Sequence, residues 1–308
     1  MRNLSVDILK VLMAFLVVFL HLNIFMDRIP LLGFVLVNGL FRISVPVFLL
    51  ISGYYFTQVD SVAKLEKWVF RLGTLYLIWM LIYLPFWINA PNKVLTLLTG
   101  TYHLWYLVGA LFAGLLLYVL RKVSIKFLMG MAVALFLIGY LIQIVGNLHI
   151  FQGSLDGVMN TLWVYRSFLL FCFPMLTLGF VLRRIEPKME HKPLLFHVVA
   201  AIVLLVLESF LLFVFVNSRE SVDLLLFLLI AAPVLFLYVK NLHIPGSYKG
   251  LADFATGVYL VHFYAIILSE QLAKHYPEIP FGKIGILTVT CIAAFVLMRF
   301  KKKIPYVL

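Results

Sequence analysis

SVDILKVLMAFLVVFLH, residues 5–21, is almost wholly apolar, yet it carries Lys10 near its start and His21 at its end. Eleven residues separate the two. At ~100° per residue that separation comes within ~20° of three full turns, so on a helix both side chains leave one face. At ~1.5 Å per residue they lie ~16 Å apart, about half the depth of a hydrocarbon core ~30 Å thick. A spanning helix here presents a cation near one surface and a titratable imidazole deeper in, along one stripe. Ionisable groups inside a bilayer are costly and mark function. The alternative for this pair is a His21 hydrogen-bonded to a neighbouring helix and a Lys10 that snorkels to headgroups.

The rest of the 308-residue chain repeats that apolar character, with 64% hydrophobic and 12% charged residues. An ordinary soluble domain is excluded, and no polar block is long enough to form one alongside. The spans predict an all-α integral membrane protein of about ten helices forming one polytopic domain over 1–308. They fall near 6–26, 34–56, 68–88, 104–120, 127–146, 159–182, 194–216, 222–239, 252–271 and 283–300. The first is too long for the apolar region of a cleavable signal, and no small-residue cleavage site follows it.

The net charge of +12 sits mainly in short connections. Lys64 and Lys67, Arg121, Lys122 and Lys126, Arg183, Arg184, Lys188 and Lys192, and Lys240 and Lys249 fall in alternate loops. Arg2 begins the chain, and Arg299 and Lys301–Lys303 close it, on the same side. The opposite loops hold only Arg28, Lys93, Arg219, Lys274 and Lys283. This asymmetry predicts cytoplasmic termini in a multi-pass cell-membrane protein, and it reports topology and not a nucleic-acid partner. Cys172 and Cys291 both lie in apolar spans, so neither a disulfide framework nor a metal site is expected.

Further polar residues interrupt the spans. In FRISVPVFLLISGYYF, 41–56, Arg42 demands a partner or a wet cavity. Pro46 removes a backbone donor, and Gly53 admits the close approach of another backbone or a ligand. Lys67 and Arg71, four apart, form a paired cationic face suited either to headgroups or to an anionic ligand such as a nucleotide diphosphate. GTYHLWYL, 100–107, places His103 among aromatics, as an interfacial belt or as the lining of a sugar pocket. Arg166 and Glu208 are candidate buried charges that could pair with each other, and His262 is a second intramembrane imidazole. No phosphate loop, HExxH, GxSxG or CxxC motif occurs.

These stretches together resemble the membrane acyltransferase-3 family. The resemblance rests on Lys10 and His21 with the residues around them, SVPVFLLISGY at 44–54, KWVFR at 67–71, HLWYL at 103–107 and YLVH at 259–262. It covers helices one to four and the ninth, while five to eight match only as hydrophobic spans. The resemblance implies an O-acyltransferase that moves an acyl group, commonly acetyl, from cytoplasmic acyl-CoA to a hydroxyl of an extracytoplasmic or lipid-linked glycan. Polysaccharide modification is the expected setting, with acetyl-CoA as co-substrate and no metal. Lys10, Lys67 and Arg71 are then expected to hold the CoA phosphates. His21 is expected to be the general base, its ordinary pKa of ~6.5 suiting proton transfer near neutrality. Arg42 or Ser52 would stabilise the developing oxyanion or position the donor. Asp7 would fix Lys10, and His103, Trp105 and Tyr106 would line the acceptor side.

One departure stands out: many members place a Glu five residues after the fourth-helix Trp, where this chain has Ala110. Its HLWYL form is closer to the membrane domains of vancomycin-resistance serine racemases, whose soluble racemase domain has no counterpart within these residues. That likeness keeps two alternatives open: a transporter-like protein for a small polar metabolite such as serine, and an accessory export protein of a polysaccharide pathway. A transporter is expected to carry inverted repeats and broken helices. No internal repeat is evident, although Pro46, Pro174 and Pro233 could each interrupt a helix.

Overall fold

The computed structural model describes residues 2–246, 248–275, 282–301, 303–304 and 306–308. Ser247 and Lys302, two positions in the basic connections read above, lie outside them. Helix α1 (Leu4–His21) starts where the Asn3 side chain accepts the Ser5 N–H at 3.1 Å, one of the donors a helix leaves orphaned at its start. Arg2–Asn3 also pairs antiparallel with Pro245–Gly246, so this start is pinned to the connection that precedes the ninth span.

The second span bends. Pro30 opens α2 (Pro30–Val37), a 3₁₀ turn covers Leu40–Ile43, and α3 (Ser44–Phe56) follows. Pro46 lies in the first turn of α3, where an absent N–H costs little. After α4 (Val62–Ile82), capped by Ser61, come the short α5 (Leu84–Trp87) and α6 (Lys93–Thr99). Next are α7 (Trp105–Leu120) and α8 (Ile125–Asn147), the latter capped by Ser124. The short α9 (Ser154–Met159) and α10 (Leu162–Tyr165) precede a π-helical turn at Phe168–Cys172, which leads into α11 (Phe173–Ile185). Pro174 falls at the start of α11 and does not break it. The remaining long helices are α12 (Leu195–Phe215), α13 (Leu228–Leu242), α14 (Gly250–His275) and α15 (Lys283–Phe300). Of the three prolines singled out, only Pro233 sits inside a helix, α13.

Among the described residues, eight helical segments are long and apolar enough to cross a membrane. The other two expected spans correspond to α4, whose first turns carry Lys64, Glu66, Lys67 and Arg71, and to α13, of 15 residues. The protein is thus a multi-pass, all-helical membrane protein. Outward faces such as Phe196, Val203 and Phe215 on α12 and Ile284 and Ile292 on α15 are apolar and exposed, as lipid contact requires.

The core is built on α3 crossing α11. A methyl group added at Gly53 would overlap the Leu176 carbonyl oxygen, and one added at Gly179 would overlap that of Leu50. The two glycines therefore let the backbones touch, as the position of Gly53 predicts. Every residue of α11 from Phe173 to Leu182 is buried. Helix α1 packs against α14, α3 and the 3₁₀ turn, which places its polar stripe inside the bundle.

The eighth span departs most from expectation. It does not begin at residue 222; α13 starts at Leu228, and 222–225 run as buried, non-helical chain. Unpaired backbone is untenable at this depth, and three side chains satisfy it. Gln143 accepts the N–H groups of Asp223 and Leu224 at 2.7 and 2.9 Å and donates to the Leu224 carbonyl at 2.8 Å. Glu208 accepts those of Leu226 and Phe227 at 2.7 and 3.0 Å, and Asn38 accepts that of Val222 at 3.1 Å.

Candidate active site

Three groups of polar residues line a path along α1. The first is a cavity of about 660 Å³ whose walls include Lys10, Arg71, Lys249 and Lys301 at the end carrying the basic connections. Lys10 meets Asp7, three residues earlier, at 3.5 Å, as their shared face predicts. Lys301 pairs with Asp253, also in the wall. Away from this basic rim the walls turn aromatic and apolar, through Trp68, Phe48, Tyr106 and Leu107 to Tyr259 and Leu260. Ser52 lines it too, its hydroxyl donating to the Phe48 carbonyl at 2.9 Å. Lys67 is exposed and is not among the lining residues. A helix turns by ~100° per residue, so the step of four from Arg71 carries Lys67 ~40° off the wall. The expected pair is replaced by Arg71 with Lys249 and Lys301.

Beyond Tyr259 lies the second group, three imidazoles from distant parts of the chain. His21, on the last turn of α1, stacks on His262 of α14 with ring centroids 5.3 Å apart and planes 28° from parallel. His262 also meets His103 at 4.7 Å. His262 Nδ1 lies 2.6 Å from the Tyr259 carbonyl, a pure acceptor, so the proton belongs on Nδ1. Its Nε2 therefore keeps a lone pair, and it is buried without a partner among the described residues, as are both ring nitrogens of His103. Tyr259 donates its hydroxyl to the His103 carbonyl, and Tyr83 donates to that of Leu260 at 3.0 Å while accepting the Tyr264 N–H. The first bond fixes α14 against the 3₁₀ turn Tyr102–Leu104, and the two made by Tyr83 fix it against the end of α4. His103 is thus in the imidazole group and is buried, which removes the interfacial-belt reading; Tyr106 is in the cavity wall. Among the described residues no group of three or more His, Cys, Asp or Glu converges in a way that could hold a metal ion.

The third group is a charged cluster beside His21. Arg42, on the 3₁₀ turn before α3, donates one Nη to Asp223 and the other to Asn38 Oδ1 at 3.0 Å. Arg166, just after α10, reaches the same Asp223 oxygen at 3.4 Å, and its guanidinium lies over Trp105 at 4.7 Å. Trp105 accordingly faces Arg166 and Phe171 and is not a cavity residue. Phe41, next to Arg42, packs its ring 6.0 Å from that of Phe19 near the end of α1, which sets the cluster against the same end of that helix as His21. Arg166 and Glu208 do not pair: Arg166 is taken by Asp223, and Glu208 by the backbone of Leu226 and Phe227.

Sequence reading passes over Asp223, Gln143 and Asn38. The available signal was an unaccompanied acid in VDLLLFLLIAAP, 222–233, a charge that an apolar helix start does not need. Lys249 and Lys301 were visible only as topology charges, since nothing local shows which loop cations turn inward.

A polytopic helical membrane protein whose basic-mouthed cavity reaches Tyr259, one turn of α14 before a buried imidazole, is the class this architecture defines. Residues 3–299 match the acyltransferase-3 family, described as an acyltransferase domain, and the chain belongs to that family. Among curated proteins it is similar to an amino-acid racemase of Enterococcus faecalis, 26% identical over 336 aligned residues, covering 98% of this chain and 47% of that protein. It is also similar to a serine/alanine racemase of Enterococcus gallinarum, 25% identical over 339, again covering 98% and 47%. The chain spans about half the length of these relatives. No solved structure matches it significantly.

Proposed function

We propose that this membrane acyltransferase moves an acyl group, probe case acetyl, from acyl-CoA on the cytoplasmic side to a hydroxyl of an extracytoplasmic or lipid-linked glycan in the cell membrane. The observation that carries the reading is the single cavity whose basic rim, Lys10, Arg71, Lys249 and Lys301, leads to Tyr259, one turn of α14 before the His262 that stacks on His21. Four cations suit a nucleotide with three phosphate groups, and the narrow aromatic length suits a pantetheine arm. The loop charges support a cytoplasmic rim and cytoplasmic termini.

In this reading His21 removes the acceptor proton, and the hydroxyl oxygen attacks the thioester carbonyl carbon. The carbon–sulfur bond then breaks, and the CoA thiolate leaves and takes up the proton. Ser52 brings a hydroxyl to the cavity wall that would turn from the Phe48 carbonyl to the thioester oxygen, while Arg42 fits the acceptor side, because its 3₁₀ turn packs on α1 and it lies outside the cavity wall. Purified protein is tested for CoA release from acetyl-CoA with envelope glycans as acceptor. His21→Ala and Lys10→Ala are expected to abolish it while unfolding as wild type does. A wild type that neither binds nor consumes acyl-CoA refutes the assignment.

The second reading is a transporter-like protein for a small polar metabolite such as serine. It is favoured by the relative named for serine and alanine and by the irregular chain at 166–172 and 221–227. An accessory export role in a polysaccharide pathway predicts neither turnover nor serine flux, so uptake of labelled serine into proteoliposomes separates the three.

A further inference from the structure

The cluster beside His21 holds more positive charge than its own carboxylate balances. Arg42 and Arg166 converge on one oxygen of Asp223, and among the described residues no other carboxylate forms an ion pair with either guanidinium. Two guanidiniums against one carboxylate leave one net positive charge in a membrane interior. Such a charge is expensive unless an anion completes it. Two hydrogen-bonding atoms of the cluster stay unused: Arg42 Nε and Asp223 Oδ2 are buried without partners among the described residues. Arg166 spends a single nitrogen on Asp223 and keeps the rest of its fork free. Its side chain is 18% exposed, Trp105 lies against its face, and Asn38 accepts from the second Nη of Arg42. A flat, braced guanidinium with a free edge matches a carboxylate in two-point geometry.

We infer that Arg166 and Arg42 form a carboxylate-binding site, and that the acceptor delivered to His21 is a hydroxy acid whose carboxylate sits on this pair. Asp223 positions the two arginines. The inference rests on the acceptor half of the proposed function and narrows it to acidic acceptors. Both a sugar acid within a glycan and a small free hydroxy acid carry this chemistry.

The test is binding without turnover, by saturation-transfer difference NMR on detergent-purified full chain. Glucuronate and lactate are the acids; glucuronate methyl ester and glucose are the neutral controls. Glucuronate or lactate is expected to bind at least tenfold tighter than both controls, and whichever acid binds tighter identifies the source. Arg166→Gln is expected to lose at least tenfold in acid affinity, and Arg166→Lys, which keeps the charge without the fork, less. Acetyl-CoA binding by the same Arg166→Gln sample monitors folding and should stay within twofold. Equal binding of acid and ester, undiminished acid binding by Arg166→Gln, or no binding of either acid overturns the inference. A wild type that binds the acids but not acetyl-CoA instead overturns the donor half of the proposed function and leaves this site standing.

Discussion

Replacing Gln143 with Leu should damage this protein more than any other conservative change of one buried side chain on α8. Gln143 is fully buried, and its amide makes three hydrogen bonds to the non-helical chain: two accepted N–H groups, from Asp223 and Leu224, and one donated bond to the Leu224 carbonyl. Leucine fills nearly the same volume but satisfies none of them. Leaving a buried backbone group unpaired costs about 1–3 kcal/mol, with no water at this depth to substitute. Three groups give a loss of about 3–6 kcal/mol once partial relaxation is allowed. The damage should spread to the site, because Asp223 is placed by that same backbone and in turn holds Arg42 and Arg166. Thermal unfolding in detergent should show a drop well beyond that of Ile138→Val, a lipid-facing change on the same helix. CoA release should fall with it, even at temperatures where the variant remains folded. Gln143→Leu with wild-type unfolding and wild-type turnover would refute the view that this side chain holds the chain at 221–227 in place.

Three other outcomes are expected. Arg71→Ala and Lys301→Ala should each raise the Kd for acetyl-CoA about tenfold, whereas Lys67→Ala should change it less than twofold; calorimetric titration decides, and the reverse order would contradict the cavity's lining. His262→Ala should lower kcat by about 10–100-fold with little change in the KM for acetyl-CoA, since the ring supports the proton-accepting imidazole and lies beyond the donor cavity. Gly53→Ala should destabilise by about 1–3 kcal/mol or more, because the methyl meets the backbone of α11 and not a movable side chain; an unchanged unfolding temperature would show that α3 and α11 do not touch as described.

Periodicity and charge within the sequence determined the membrane class, the approximate place of most apolar helices and the stripe from Lys10 to His21. These are properties of one helix and its flanking loops, set by hydropathy, by 3.6-residue geometry and by the bias of basic connections. The roles of Gly53 and of the Asp7–Lys10 pair were legible for the same reason: a local motif sufficed. The tertiary structure alone decided what comes from elsewhere in the chain. His21 faces His262, more than 200 residues away, and Arg42 finds its carboxylate in Asp223, which Arg166 shares. The start of α13 moved from 222 to 228 because Gln143, Glu208 and Asn38 supply from other segments the hydrogen bonds that a helical turn would have supplied from its own. An apolar run states that it must be buried; which buried side chains satisfy its backbone, and which charges it brings to the site, depends on packing partners that no local pattern encodes.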